Sequence, residues 1–290
     1  MYLDPEFPAG RSSLYWEKHG NEKMRASYQN VKMWKRPSEL VSSHPKLWGG
    51  QNVRPDDVKQ GSLGDCWFLA SASAIAEYPD RIKKIFVNND YSYNGIFEMK
   101  MFAGGEEKSL VIDDRLPMYS KTYPFNTKKS SDGAFWMPIL EKGFAKFSVN
   151  YARLNGGDMS WAMDALTNMP QITIKQGSMS NDAFFQLVKK YDLLKSIMTS
   201  ANYNGKDNLV AAHAYTVLGV QELKDSNGVV QQQLIKMRNP WGTEKYQGDW
   251  RDDDSRWNQG TYKDQAGLVN AKDGVFFVPI EKFTSRFPDI

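Results

Sequence analysis

Cys66 is the chain's single cysteine, and its surroundings are built for chemistry. It sits in Gln60-Gly61-Ser62-Leu63-Gly64-Asp65-Cys66-Trp67-Phe68-Leu69, where a polar, glycine-punctuated run turns abruptly apolar. That pattern predicts a thiol at the first turn of a buried helix. A thiol ordinarily titrates near ~8.5, and only the thiolate is a strong nucleophile. The unpaired N–H groups and partial positive charge of a helix N-terminus favour the anion. Asp65 stands where an N-cap is expected, and Gly61 and Gly64 would let the chain turn and a substrate backbone approach. The Gln60 side chain and the Cys66 backbone N–H could together form an oxyanion hole. A lone cysteine is more often a small buried hydrophobe; the flanking Gln, Gly and Asp argue for catalysis.

A cysteine nucleophile needs a base and a group to orient that base. Of three histidines, His19 and His44 fall in an irregular N-terminal stretch and read as surface residues. His213 opens the strand-like run His213-Ala214-Tyr215-Thr216-Val217-Leu218. A turn signal, Asp225-Ser226-Asn227-Gly228, separates segment 212–223 from segment 229–238 and predicts a β-hairpin. In a hairpin centred near Ser226, positions equidistant from the centre face each other, which sets His213 at or near Asn239. The Asn239 carbonyl oxygen could accept one ring N–H and leave the other ring nitrogen for the thiol. Trp241 could shield that bond from water.

The elements that carry these residues differ between the two parts of the chain. Residues 66–77 read as a helix apolar on every side, limited by Pro79. Leu140, Phe144 and Phe147 place a second helix between Met137 and Phe147. Gly156-Gly157 is the expected hinge. Beyond it, Ser180 should cap a helix carrying Phe184, Leu187, Val188 and Tyr191, and Asp273 to Ile280 should add a strand. The expectation is therefore an α+β chain: a helical N-terminal lobe over 1–157 and an antiparallel β-rich C-terminal lobe over 158–290.

Composition narrows the function classes. With 37 basic and 34 acidic residues, the net charge of +3 gives no case for nucleic acid or a charged membrane surface. No apolar run approaches the length of a membrane span. One cysteine cannot form an internal disulfide, which fits a cytoplasmic setting. The N-terminus lacks the pattern of a signal peptide.

Taken together, these residues resemble the protease core of the calpains. The run from Gln60 to Leu69 is the longest motif, His213-Ala214-Tyr215 and Arg238-Asn239-Pro240-Trp241-Gly242 resemble the other two catalytic blocks, and the likeness extends from Asp4-Pro5-Glu6-Phe7-Pro8 to Phe283. The order Cys, His, Asn is that of papain-like enzymes. The resemblance implies a papain-like two-lobed fold and limited proteolysis of protein substrates by Cys66, His213, Asn239 and Gln60. Trp241, Asn168, Met169 and Ala212 would line the substrate cleft. It also implies one calcium ion per lobe, for which Asp57, Asp252 and Asp273 match ligand carboxylates. Ala152, Lys245 and Val275 stand where glutamates are usual, so both ion sites are expected to be weak or absent. The Thr-Gly-Gly usual in the cleft reads Thr167-Asn168-Met169. No EF-hand loop occurs, and the usual regulatory domains or subunits are expected to be absent from this chain. The alternatives are a non-catalytic, calpain-like binding or scaffold module and, ranked last, a cysteine acyltransferase.

Overall fold

The computed structural model describes residues 1–16, 28–50 and 52–290. His19 lies outside the described residues. The chain divides into two compact units, Met1–Gln171 and Ile172–Ile290. The division falls after the Gly156-Gly157 pair expected to be the hinge, because the helix that follows the glycines packs into the first unit.

The first unit contains helices α1 (Arg11–Leu14), α2 (Cys66–Ile75), α3 (Pro79–Lys83), α4 (Trp136–Phe147) and α5 (Met159–Thr167). Residues Trp67 to Ile75 of α2 are all buried, which explains the lack of a polar face in its sequence. Phe68 stacks on Phe144 of α4 with ring centroids 4.2 Å apart, and Trp67 stacks on Trp161 of α5 at 5.3 Å. Pro79 begins α3, where its missing N–H has no intrahelical partner to lose. The unit is not purely helical. Strand β1 (Met33–Lys35) pairs with β4 (Leu116–Met118), and β2 (Ile96–Ala103) forms an eight-residue antiparallel hairpin with β3 (Glu106–Asp113).

The second unit is a four-stranded antiparallel sheet in the order β5 (Met198–Asn202), β6 (His213–Lys224), β7 (Val230–Arg238), β8 (Val275–Pro279). Helices α6 (Asn181–Leu193), α7 (Tyr262–Ala266) and α8 (Ile280–Arg286) accompany it. Strand alternation sorts the side chains. Tyr215, Val217, Ile235, Met237, Phe276 and Val278 join Phe184, Val188 and Phe283 in one core. Leu223, Leu234 and Phe277 join Trp250 and Trp257 in a second. Ser180 caps α6 through its hydroxyl, which accepts the Ala183 N–H at 3.1 Å.

Candidate active site

In the first unit, Cys66 is the first residue of α2 and is half-buried. Its loop is strapped from several directions. The Ser62 N–H donates to the Phe125 carbonyl at 3.0 Å, the Gly156 N–H to the Gly64 carbonyl at 2.8 Å, and the Trp67 indole N–H to the Leu154 carbonyl at 2.8 Å. Gly61 and Gly64 are needed for close approach. A Cβ on Gly61 would stand 2.0 Å from the Asn126 carbonyl oxygen, and one on Gly64 would stand 2.3 Å from the Asn155 side chain. The Gly156-Gly157 pair serves the same loop, since a Cβ on Gly157 would enter the Trp67 ring at 2.4 Å.

One expectation for this loop needs correction. Asp65 occupies the N-cap position of α2, but its side chain makes no capping hydrogen bond. The carboxyl is fully buried, neither of its oxygens receives a donor, and it faces Glu141 of α4. Gln60 is half-buried, and its amide Nε2 donates to the Leu63 carbonyl at 2.8 Å. An amide nitrogen carries two hydrogens, so one donor is committed to the loop and a second remains beyond that bond.

In the second unit, His213 opens β6, is 5% exposed, and approaches Asn239 Oδ1 to 2.9 Å through Nε2. The same Oδ1 accepts the Trp241 backbone N–H at 3.0 Å. A backbone N–H is always a donor, so the atom it reaches is the amide oxygen, and His213 Nε2 must also be donating. The tautomer is thereby fixed with the proton on Nε2 and the lone pair on Nδ1. Asn239 is fully buried, and its own N–H donates to the Gly274 carbonyl at 2.9 Å. Its Nδ2 has no hydrogen-bond partner. Trp241 lies against the imidazole with centroids 5.0 Å apart, and the edge of Tyr215 meets it at 5.0 Å. Burial holds the imidazole below its ordinary pKa, and the Asn239 bond offsets this in part.

The route to this pairing differs from a mirror placement about Ser226. The ladder ends with Thr216 opposite Arg238, so His213 lies beyond it. A register shift between Val217 and Gly219 adds a residue on β6, and the side chains, not the paired backbones, close the gap.

The remaining predicted residues are less concentrated. Asn168 is the left-handed C-cap of α5, with φ 52°, and Met169 is exposed. Ala212, immediately before His213, also has a left-handed φ of 52°. Such a conformation costs a residue with a Cβ about 1–2 kcal/mol. His44 is exposed, with its ring edge-on to Tyr93.

The carboxylates matched to calcium differ in their surroundings, with Asp57 Oδ1 and both Asp252 oxygens buried and without a hydrogen bond. Asp57 is buried and already accepts the Trp136 indole N–H and the Arg54 N–H through Oδ2, each at 2.9 Å. Lys245 is exposed, and Glu244 Oε2 accepts the Gly274 N–H at 3.0 Å. Among the described residues, no three His, Cys, Asp or Glu side chains come together in a way that could hold a metal. Calcium prefers about six to eight oxygen ligands.

A half-buried cysteine opening a buried helix, and a histidine fixed by an asparagine, are arrangements that thiol-protease chemistry can use. The chain matches the Calpain family cysteine protease domain over residues 2–290. It is 31% identical over 299 residues to human Calpain-12, covering 100% of this chain and 40% of that protein. It is 30% identical to Calpain clp-4 of Caenorhabditis elegans over 99% of this chain and 40% of the relative, and 32% identical to mouse Calpain-8 over 99% and 41%. A crystal structure of SERA5E from Plasmodium falciparum is similar over 79% of this chain and 85% of that one, with 14% identity and a TM-score of 0.30. The chain belongs to the calpain family of cysteine proteases. It spans about 40% of the length of these calpain relatives.

Proposed function

We propose that this chain is an active cysteine endopeptidase acting on protein substrates by limited proteolysis. The observation that carries the reading is the double acceptance at Asn239 Oδ1, which leaves His213 Nδ1 as a base. When Nδ1 and the Cys66 thiol come together, the imidazole takes the thiol proton. The sulfur attacks the peptide carbonyl carbon, and the resulting oxyanion is met by the Cys66 N–H and the second hydrogen of Gln60 Nε2. His213 then passes its proton to the leaving nitrogen as the C–N bond breaks, and a thioester remains. Water, deprotonated by His213, attacks the thioester and releases the acid and the thiol.

Trp241, Ala212, Asn168 and Met169 are proposed to contact the substrate chain. No helix of the described residues is long and apolar enough to cross a membrane; a cytoplasmic setting is part of this proposal. The two halves of the chemistry are assigned to the compact units, residues 1–171 and 172–290.

The test is covalent labelling by a peptidyl epoxide together with cleavage of a fluorogenic peptide, each with and without a calcium chelator. Cys66 should be labelled, cleavage should vanish in Cys66→Ala, and the chelator should change neither by more than about twofold. Absence of Cys66 labelling under both conditions would leave the non-catalytic binding module as the better reading.

A further inference from the structure

Two buried acids face each other beneath the nucleophile loop, and no base accompanies them. Asp65 and Glu141 are both 0% exposed, and their carboxyls face each other with oxygens that lack a donor. Asp65 Oδ1 and Oδ2 and Glu141 Oε1 are buried without a close donor, the Asn126 side chain also faces Glu141, and no salt bridge reaches either carboxyl among the described residues. Glu141 Oε2 accepts the Thr127 N–H at 2.6 Å and the Thr127 hydroxyl. Thr127 belongs to the segment whose Phe125 carbonyl receives Ser62 N–H and whose Lys128 N–H donates to the Lys59 carbonyl at 3.0 Å. Glu141 therefore ties α4, segment 125–128 and the residue before Cys66 to one another.

Two buried carboxylates that face each other cannot both be ionised at low cost, and a hydrogen bond between them requires a proton. We propose that Asp65 and Glu141 share one proton and act as a positioning pair for Cys66, with Asp65 donating to an ionised Glu141. This rests on the reading of Cys66 as the nucleophile. The pair keeps its single negative charge on the Glu141 side, away from the sulfur. Burial first, then the charge of Glu141, pushes the Asp65 carboxyl well up; burial pushes Glu141 up to about 7. The other titratable groups facing the pair are Cys66, Tyr28 and Tyr151, with Asp113 acting on Tyr151.

The experiment is the pH–rate profile for iodoacetamide alkylation of Cys66 in the full chain. Asp65→Asn preserves a donor to Glu141 and the charge, so its midpoint should match the wild type. Glu141→Gln moves the charge onto Asp65 beside the sulfur. Its midpoint should rise so that alkylation on the acid limb slows roughly 3- to 10-fold, the scale of shifting one charge by a few ångströms at an effective dielectric near 20. The double variant carries no charge, and its midpoint should fall below the wild type. Infrared spectra at pH 8 should show a protonated-carboxyl band that Asp65→Asn removes. Equal displacement by Asp65→Asn and Glu141→Gln, coincidence of all profiles, or absence of that band in the wild type would overturn the proposal. Alkylation reads the thiol whether or not the chain cleaves peptides, so an inactive protease leaves this outcome standing.

Discussion

Asn239→Ala removes the acceptor on which the His213 tautomer depends. Two donors lose their partner, the His213 ring N–H and the Trp241 backbone N–H. The imidazole is 5% exposed, whereas Trp241 is 40% exposed, so water can replace the acceptor for the second donor but not for the first. A buried orphan donor costs about 1–3 kcal/mol. Loss of the unpartnered Asn239 Nδ2 offsets part of this, which leaves a stability loss of about 1–2 kcal/mol. Catalysis suffers more, because the bond becomes charge-assisted when His213 takes the thiol proton. Such bonds contribute about 1.5–3 kcal/mol, so peptide cleavage should fall about 10- to 150-fold. Urea unfolding measures the first quantity and fluorogenic peptide turnover the second. Nitrogen NMR of the imidazole should show pure Nε2–H in the wild type and a mixture in the variant. Activity within twofold of wild type, with an unchanged tautomer, would refute the reasoning.

Asp252 offers a pH-dependent test of stability. Burial, then Glu244, Asp273 and Asp253, pushes its carboxyl up to about 7. The folded pKa thus exceeds the unfolded one, so the penalty is absent below about pH 4, grows as pH rises, and is complete above 7. The residue is partly buried and both carboxyl oxygens are enclosed, so the shift corresponds to a penalty of up to about 4 kcal/mol. Asp252→Asn should match the wild type in urea unfolding at pH 4 and exceed it by that amount at pH 8; an equal difference at both pH values would rule the account out. Gly157→Ala forces a methyl group into the Trp67 ring and should lower stability by about 1–3 kcal/mol. An unchanged melting temperature would show that the Trp67–Trp161 stack yields freely.

Much of this architecture can be read from the residues. The lone thiol at a helix start, the apolar character of α2, the Ser180 cap and the hairpin around Asp225-Gly228 all follow from local chemistry. The β2–β3 hairpin was equally legible, since Phe97, Met99 and Met101 alternate ahead of Gly104-Gly105 and are buried. Glu141 and Lys142 are a different case. Adjacent charges in an amphipathic run signal a solvated face, yet both are fully buried, because α4 is covered on all sides and Lys142 finds Asp113 at 2.5 Å. Nothing local announces such burial. The same holds for Asp65, whose type and place signal a cap while its side chain answers to a residue far along the chain. The Asn239 partnership was legible only in outline, because a β-bulge shifts backbone register without a composition signal.

The inward turn of Asp65 matters for the chemistry at Cys66. A carboxylate capping α2 would occupy the helix N-terminal N–H groups and set a full negative charge beside the sulfur. Both effects oppose a thiolate. Turned inward, the carboxyl leaves the helix dipole to favour the thiolate, and its proton and charge are handled by Glu141. The second unit follows similar logic. The group that orients His213 is a neutral amide with one shared oxygen, not a carboxylate, so the imidazole is aligned while burial still favours its neutral form. Each half of the chemistry is completed by contacts inside its own unit. Substitutions at Glu141 and at Asn239 should therefore act through different quantities, the midpoint of thiol alkylation for one and the tautomer of the base for the other.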